Sequence, residues 1–212
     1  MKPNSKSSMA ARRVIGRALG WLLHWLAGAV LALWLKSSVG FVALVGAGVW
    51  ILFSVFTLYF FRDPEPRVPT APEAVVAPAH GLVDCVEETT ELEFLIGPCR
   101  RVSIFLSVFD VHVQNAPVAG KITFLKYQPG QFLSALKTES ARCNENVLIG
   151  IESNERPGER IAVRQIAGLL ARRVVSWVNV GDIVTRGQRL GLIQYGSRRD
   201  LYLPLTAQIR VT

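Results

Sequence analysis

The sequence predicts a mostly β domain preceded by an α-helical transmembrane hairpin, and three observations carry that expectation. Two long apolar stretches near the N-terminus contain no acid, a proline-rich run follows them, and beyond it short Val-, Ile- and Phe-rich runs alternate with Gly and Pro. Helical periodicity is poor in this last region, whereas closely spaced β-branched runs between turn residues are the pattern of a β-rich fold.

The hairpin comes first. Residues 39–61 are uncharged, and residues 18–35 hold His24 as their single titratable group. Both stretches are long enough to span hydrocarbon. A signal peptide would have a shorter apolar core and a small-residue cleavage site, but here a second apolar stretch begins after only Lys36, Ser37 and Ser38. Lys2, Lys6, Arg12, Arg13 and Arg17 precede the first stretch, and Arg62 and Arg67 follow the second, so the positive-inside rule puts both ends and the following domain on the cytoplasmic side of the cell membrane. Trp21, Trp25, Trp34 and the aromatic residues 59–61 fall near the expected interfaces, while Trp50 is mid-span.

The linker, residues 62–72, has prolines at 64, 66, 69 and 72, which end the second helix and favour an extended spacer. The organisation expected is therefore a basic N-terminus and two-helix anchor over 1–61, a linker over 62–72, and a β-rich domain over 73–212. The formal charge of +8 follows the same division. Residues 1–61 contain six cations and no acid, which leaves 18 Lys and Arg against 16 Asp and Glu in the remainder. The β-rich domain is nearly neutral, so no nucleic-acid partner is indicated. Cys85, Cys99 and Cys143 are odd in number and widely spaced, which gives neither a disulfide framework nor a zinc site, and no metal is expected.

Candidate strands cover 82–86, 101–106, 121–127, 147–151, 161–166, 190–194 and 201–203, with 165–178 as a helix or loop exception. Between Val178 and Ile193, glycines at 181, 187 and 191 are spaced for tight turns between short strands. That spacing resembles the hammerhead hairpin of biotinyl and lipoyl domains and related barrel-sandwich hybrids. Those carriers place a lysine at the turn and this chain has none there, so the pattern speaks for a fold and not for a carrier.

The β-rich domain has two histidines, His80 and His112, as bases near neutral pH, and a Gly196-Ser197 dipeptide at the end of an expected strand. Alone, such a dipeptide reads as a turn. Six segments in order set it in a wider context: Phe60-Phe-Arg-Asp-Pro-Glu65, Ala77-Pro-Ala-His-Gly81, residues 103–113 with Ala116-Pro117, Tyr127-Gln-Pro-Gly-Gln-Phe-Leu133, residues 163–173, and Gly191-Leu-Ile-Gln-Tyr-Gly-Ser-Arg198. Together they resemble the short-chain, pyruvoyl-dependent branch of the phosphatidylserine decarboxylase family.

The resemblance implies a zymogen that cuts itself between Gly196 and Ser197 into a β chain of 1–196 and an α chain of 197–212. The hydroxyl of Ser197 attacks the preceding carbonyl, and the new N-terminus becomes a pyruvoyl group, the only cofactor implied. His112 is placed as the base that activates Ser197 and as a later proton carrier. Where the family has an aspartate that orients this histidine, the chain has His80. Asp110, two residues from His112, and Asp84 are the carboxylates that could substitute, and His80 itself could bond His112 when neutral. Arg198 and Arg173 are candidates for the substrate's phosphate, with Arg199 beside them.

The longer branch has a second histidine where Asn115 stands, and the family's Asn-Glu-Arg-Asn run reads Asn144-Glu-Asn146. The partners implied are phosphatidylserine in the membrane and the chain's own α fragment, with association into a homo-oligomer left open. The rival reading is a non-catalytic member of the same fold that binds lipid or protein, for which His80 is the supporting feature. A phosphocarrier with His80 or His112 as acceptor is a third.

Overall fold

The computed structural model describes residues 6–34, 39–71, 73–134, 143–169, 174–193 and 197–210. The chain forms two compact units, Met1–Pro64 and Glu65–Thr212.

The first unit is a pair of helices, α1 (Lys6–Trp34) and α2 (Val39–Phe60). They pack through small side chains, with Ala29, Ala43 and Ala47 buried. In α2, Ser54 and Thr57 each donate a hydroxyl to the carbonyl four residues earlier at 2.8 Å, which satisfies both polar groups inside an apolar helix. Over Gly40–Phe60 this helix is long and apolar enough to cross a membrane, by length and composition. The apolar part of α1, Leu19–Leu31, is shorter than the expected 18–35. The connector expected at 36–38 lies outside the described residues.

The second unit is built from ten strands: β1 (Leu82–Glu91), β2 (Gly97–Leu106), β3 (Val113–Asn115), β4 (Gly120–Gln128), β5 (Asn146–Ser153), β6 (Arg160–Ala167), β7 (Val174–Ser176), β8 (Ile183–Val184), β9 (Arg189–Ile193) and β10 (Ser197–Leu203). They form a seven-stranded sheet in the order β1-β2-β10-β6-β5-β4-β8 and a three-stranded sheet in the order β3-β9-β7. Every pairing of named strands is antiparallel. Side chains alternate across the large sheet. Val102, Ile104, Leu106, Ile149, Val163, Leu201 and Leu203 enter one core cluster with Val174, Leu190 and Ile193 of the small sheet. Tyr202, Ala162, Leu148 and Cys99 point the other way and are covered by Phe94. The turn holding Phe94 is fixed by the Glu91 carboxylate, which accepts the backbone N–H groups of Glu93, Phe94 and Leu95 at 3.0, 2.8 and 2.8 Å.

Six of the seven expected strands lie within longer strands, and the seventh, 190–194, overlaps β9, with residue 194 outside the described residues. The stretch 165–178 differs from expectation: its first residues finish β6, Val174–Ser176 form β7, and no helix occurs among its described residues. The alternation of β6 simply continues to Ala167, which pairs with Ser197. Gly181 and Gly187 do occupy turns with φ of 99° and 77°, a region that favours glycine. Gly191 is not in a turn but inside β9, where an added Cβ would lie 2.4 Å from the Val175 carbonyl oxygen and 2.9 Å from the Gln165 amide nitrogen. It is a close-packing glycine, so the three glycines serve two purposes.

Candidate active site

One end of the large sheet gathers the sequence's candidates. Ser197 opens β10, and its cross-strand partners are Leu106, which ends β2, and Ala167, which ends β6. At the same end β1 begins at Leu82, opposite Phe105, so His80 just precedes it. Among the described residues, the segments that leave this end are 78–81, 107–112 and 168–169. Gly196 and Arg173 lie outside the described residues.

Ser197 faces the interior with Leu106, Leu201 and Leu203, by the alternation of β10 and β2. It is fully buried, at 0% exposure, and its hydroxyl has no hydrogen-bond partner among the described residues. A buried hydroxyl without a partner costs roughly 1–3 kcal/mol, which is an unusual expense for a serine that merely solvates a turn.

His112 reaches this region along two chain paths. After Leu106 a tight turn reverses the chain, held by Asp110 N–H to the Ser107 carbonyl at 3.0 Å and by Ser107 N–H to the Asp110 carboxylate at 2.8 Å. His112 follows two residues later. On the other path, Val113 pairs with Leu192, so antiparallel register places His112 opposite Ile193, the last residue of β9 before the link to Ser197. His112 is fully buried, and its Nδ1 lies 2.9 Å from the Asp110 carbonyl oxygen. A carbonyl only accepts, so in the neutral ring Nδ1 bears the proton and Nε2 the basic lone pair. Asp110 therefore orients His112 through its backbone, while its carboxylate caps the turn. His80 is exposed in the 78–81 segment, which is laid along β3 by Asn115 N–H bonding the Pro78 carbonyl at 2.9 Å.

The opposite face of β10 carries a connected polar network. Register shifts between Val83 and Cys85, and the bulge turns Asp84 towards Arg198. Arg198, 3% exposed, forms a bidentate pair with the Asp84 carboxylate at 2.9 and 2.5 Å and also donates to Ser103 Oγ at 3.0 Å. Ser103 donates in turn to Asp200, which is further met by Arg101 at 3.6 Å and by the Tyr202 hydroxyl at 3.4 Å. Burial pushes the Asp200 carboxyl above its usual range, against the pull of Ser103 and the surrounding arginines. Arg198 is thus engaged in an internal ion pair, and Asp84 is committed to Arg198 rather than to the histidine.

Two interior polar residues were not singled out by chemistry in the sequence, Gln114 on β3 and Gln165 on β6, and Arg199, grouped there with Arg198, is instead an inward, fully buried guanidinium. Parity would have found them, since Leu201 and Leu203 are inward and Arg199 and Ser197 share their alternation. The Asn144-Glu-Asn146 run has a structural task. Asn144 Nδ2 donates to the carbonyls of Leu133 and Ala167 at 2.8 Å each, and Ala167 N–H donates to the Glu145 carbonyl at 2.9 Å, tying the 131–133 segment to the neighbour of Ser197. Among the described residues no group of three or more His, Cys, Asp or Glu is placed to hold a metal ion.

With this geometry in place, comparison with known proteins identifies the lineage. The family model described as phosphatidylserine decarboxylase matches residues 53–212. A phosphatidylserine decarboxylase proenzyme of Desulfotalea psychrophila is 45% identical over 164 residues, covering 77% of this chain and 76% of the relative. The corresponding proenzyme of Symbiobacterium thermophilum is 44% identical over 193 residues, 91% of this chain and 80% of the relative. That of Cupriavidus metallidurans is 39% identical over 194 residues, 91% of this chain and 86% of the relative. The chain belongs to the phosphatidylserine decarboxylase family.

Proposed function

We propose that the chain is a proenzyme that cleaves itself between Gly196 and Ser197 and then decarboxylates phosphatidylserine to phosphatidylethanolamine. The observation that carries this reading is Ser197: a buried, unpartnered hydroxyl at the start of a strand, at the sheet end where His112 lies. The relatives' name, proenzyme, favours processing over the non-catalytic alternative.

In the processing step Nε2 of His112 takes the Ser197 proton as the hydroxyl attacks the Gly196 carbonyl, and the peptide bond becomes an ester. Loss of the proton on Cα of residue 197 expels the Gly196 carboxylate, and water converts the resulting enamine into a carbonyl with release of ammonia. The residues present suit this outcome, since no described group competes for the Ser197 side chain. The pyruvoyl carbonyl so formed supplies an electron sink for the bond between the substrate's α-carbon and its carboxylate, once condensed with the amine. His112, held by the Asp110 carbonyl, is the group positioned to return a proton to the α-carbon.

The anchor belongs to the same reading. A substrate that resides in a bilayer favours a tethered enzyme, and α2, apolar over Gly40–Phe60, with α1 beside it would form a hairpin holding the catalytic domain at the cytoplasmic face. The two-sheet architecture supports the barrel-sandwich reading of residues 73–212. The test is conversion of headgroup-labelled phosphatidylserine in vesicles by the membrane-expressed chain. Labelled phosphatidylethanolamine is expected from the native sequence and none from Ser197→Ala, and equal turnover by both would overturn the proposal.

A further inference from the structure

The inward face of β10 holds a second residue beside Ser197 whose chemistry is not yet accounted for. Arg199 lies two residues along the strand on the same face, and its cross-strand neighbours are Ile104 and Gln165. It is fully buried, and the next row inward, Val102, Leu201, Val163 and Ile149, is apolar. Its Nη1 donates to Gln114 Oε1, and Gln114 Nε2 donates to the His112 carbonyl at 3.2 Å, so the guanidinium is linked to the histidine segment. Among the described residues, Nε and Nη2 of Arg199 have no hydrogen-bond partner, nor does either amide atom of Gln165 directly across the strand.

A buried guanidinium with one neutral partner is costly, and an apolar side chain of similar length would fit this row better. Desolvation also holds the group well below its ordinary pKa. Unsatisfied polar atoms clustered on one face beside Ser197 are the sign of a ligand site. The ligand must accept, because Arg199 offers only donors. Nε and Nη2 form one edge of the guanidinium and match the two oxygens of a carboxylate.

The substrate has two anionic groups. Its phosphodiester lies between the reacting carbon and the glycerol, and its α-carboxylate is bonded to the reacting carbon itself. Arg199 lies one row deeper along the strand than Ser197 and is fully buried, so of the two anions the one attached to the reacting carbon is the nearer to it. We propose that Arg199, with Gln165, receives the α-carboxylate of the substrate headgroup and so selects an amino-acid headgroup over the amine product. This rests on position 197 being the reacting position.

The test uses the full chain with Arg199→Met and, as a milder change, Arg199→Lys. Intact mass comes first: both variants are expected to be cleaved before residue 197, which separates this inference from the processing reading. Failure of Arg199→Met to cleave while the native chain cleaves would assign the group to processing and overturn the inference. Thermal unfolding of Arg199→Met is expected at the same or a higher temperature than the native chain. In mixed micelles KM for phosphatidylserine is expected to rise about 10- to 100-fold in Arg199→Met and less in Arg199→Lys. Inhibition by phosphatidylethanolamine, which keeps the phosphodiester but lacks the carboxylate, is expected to stay unchanged. Loss of that inhibition in parallel would assign Arg199 to the phosphate. An unchanged KM, or a lowered melting temperature with unchanged KM, would make it a structural residue. Should Arg199→Met fail to fold, Gln165→Met carries the same expectations of raised KM and unchanged product inhibition.

Discussion

The two faces of β10 handle polar groups in opposite ways. Outward, Arg198, Asp200 and Tyr202 are joined through Asp84, Ser103 and Arg101 into a network. Inward, Ser197 and Arg199 keep polar atoms with no partner among the described residues. Both faces are buried, so burial alone does not separate them. What differs is the satisfaction of the strand's own side chains: Arg198, Asp200 and Tyr202 are all engaged by partners that fix the strand, and the inner face has capacity left for chemistry and a ligand. The difference teaches that on a single seven-residue strand, alternate residues can be scaffold and site.

The strongest way to break this contrast is to remove the inward base. His112→Gln is expected to slow self-cleavage about 10²- to 10⁴-fold while the melting temperature changes little, measured by following the appearance of the fragment over time. Cleavage at the native rate would remove His112 from the site.

The outer face should respond in stability instead. Asp200→Ala leaves Arg101 and Arg198 partly uncompensated and is expected to cost about 3–5 kcal/mol, read by chemical denaturation. A loss of cleavage in protein shown to be folded would blur the two faces.

The smallest effect concerns acid stability. The hydrogen bond from Lys126, with the charges of Arg164 and Lys126 and against desolvation, holds the Glu93 carboxyl below its usual range. That pairing stabilises the folded chain above the unfolded carboxylate value and is lost as pH falls through the lowered one. Asp200 has the opposite sign, because its raised value lets the folded chain keep a proton longer, so its contribution is greatest at low pH and declines as pH rises through the folded value. Glu93→Gln should therefore reduce stability at neutral pH by less than about 1 kcal/mol and leave a shallower loss on acidification.

Much of this was legible in the sequence because it is local. The β-branched runs marked the seven long strands, and the positive-φ glycines 181 and 187 marked their turns. Ser197 and His112 were legible only through motifs in their family order, since neither residue type is distinctive alone. Three features were not legible, one because its local pattern is ambiguous and two because they depend on tertiary placement. β7 was obscured by apolar residues around Arg172 and Arg173 that suit a helix as well as a strand. The Asp84–Arg198 pair needs a bulge to aim it. The task of Gly191 depends on a glutamine from the facing sheet.

The central claim, that the inward hydroxyl of Ser197 is the point of self-cleavage, is tested most directly by the intact mass of the membrane-expressed chain. The account predicts two fragments divided between residues 196 and 197, the second with a carbonyl in place of its amino group, and a single uncut chain for Ser197→Ala. An uncut native chain, or a cut that persists in Ser197→Ala, would contradict it.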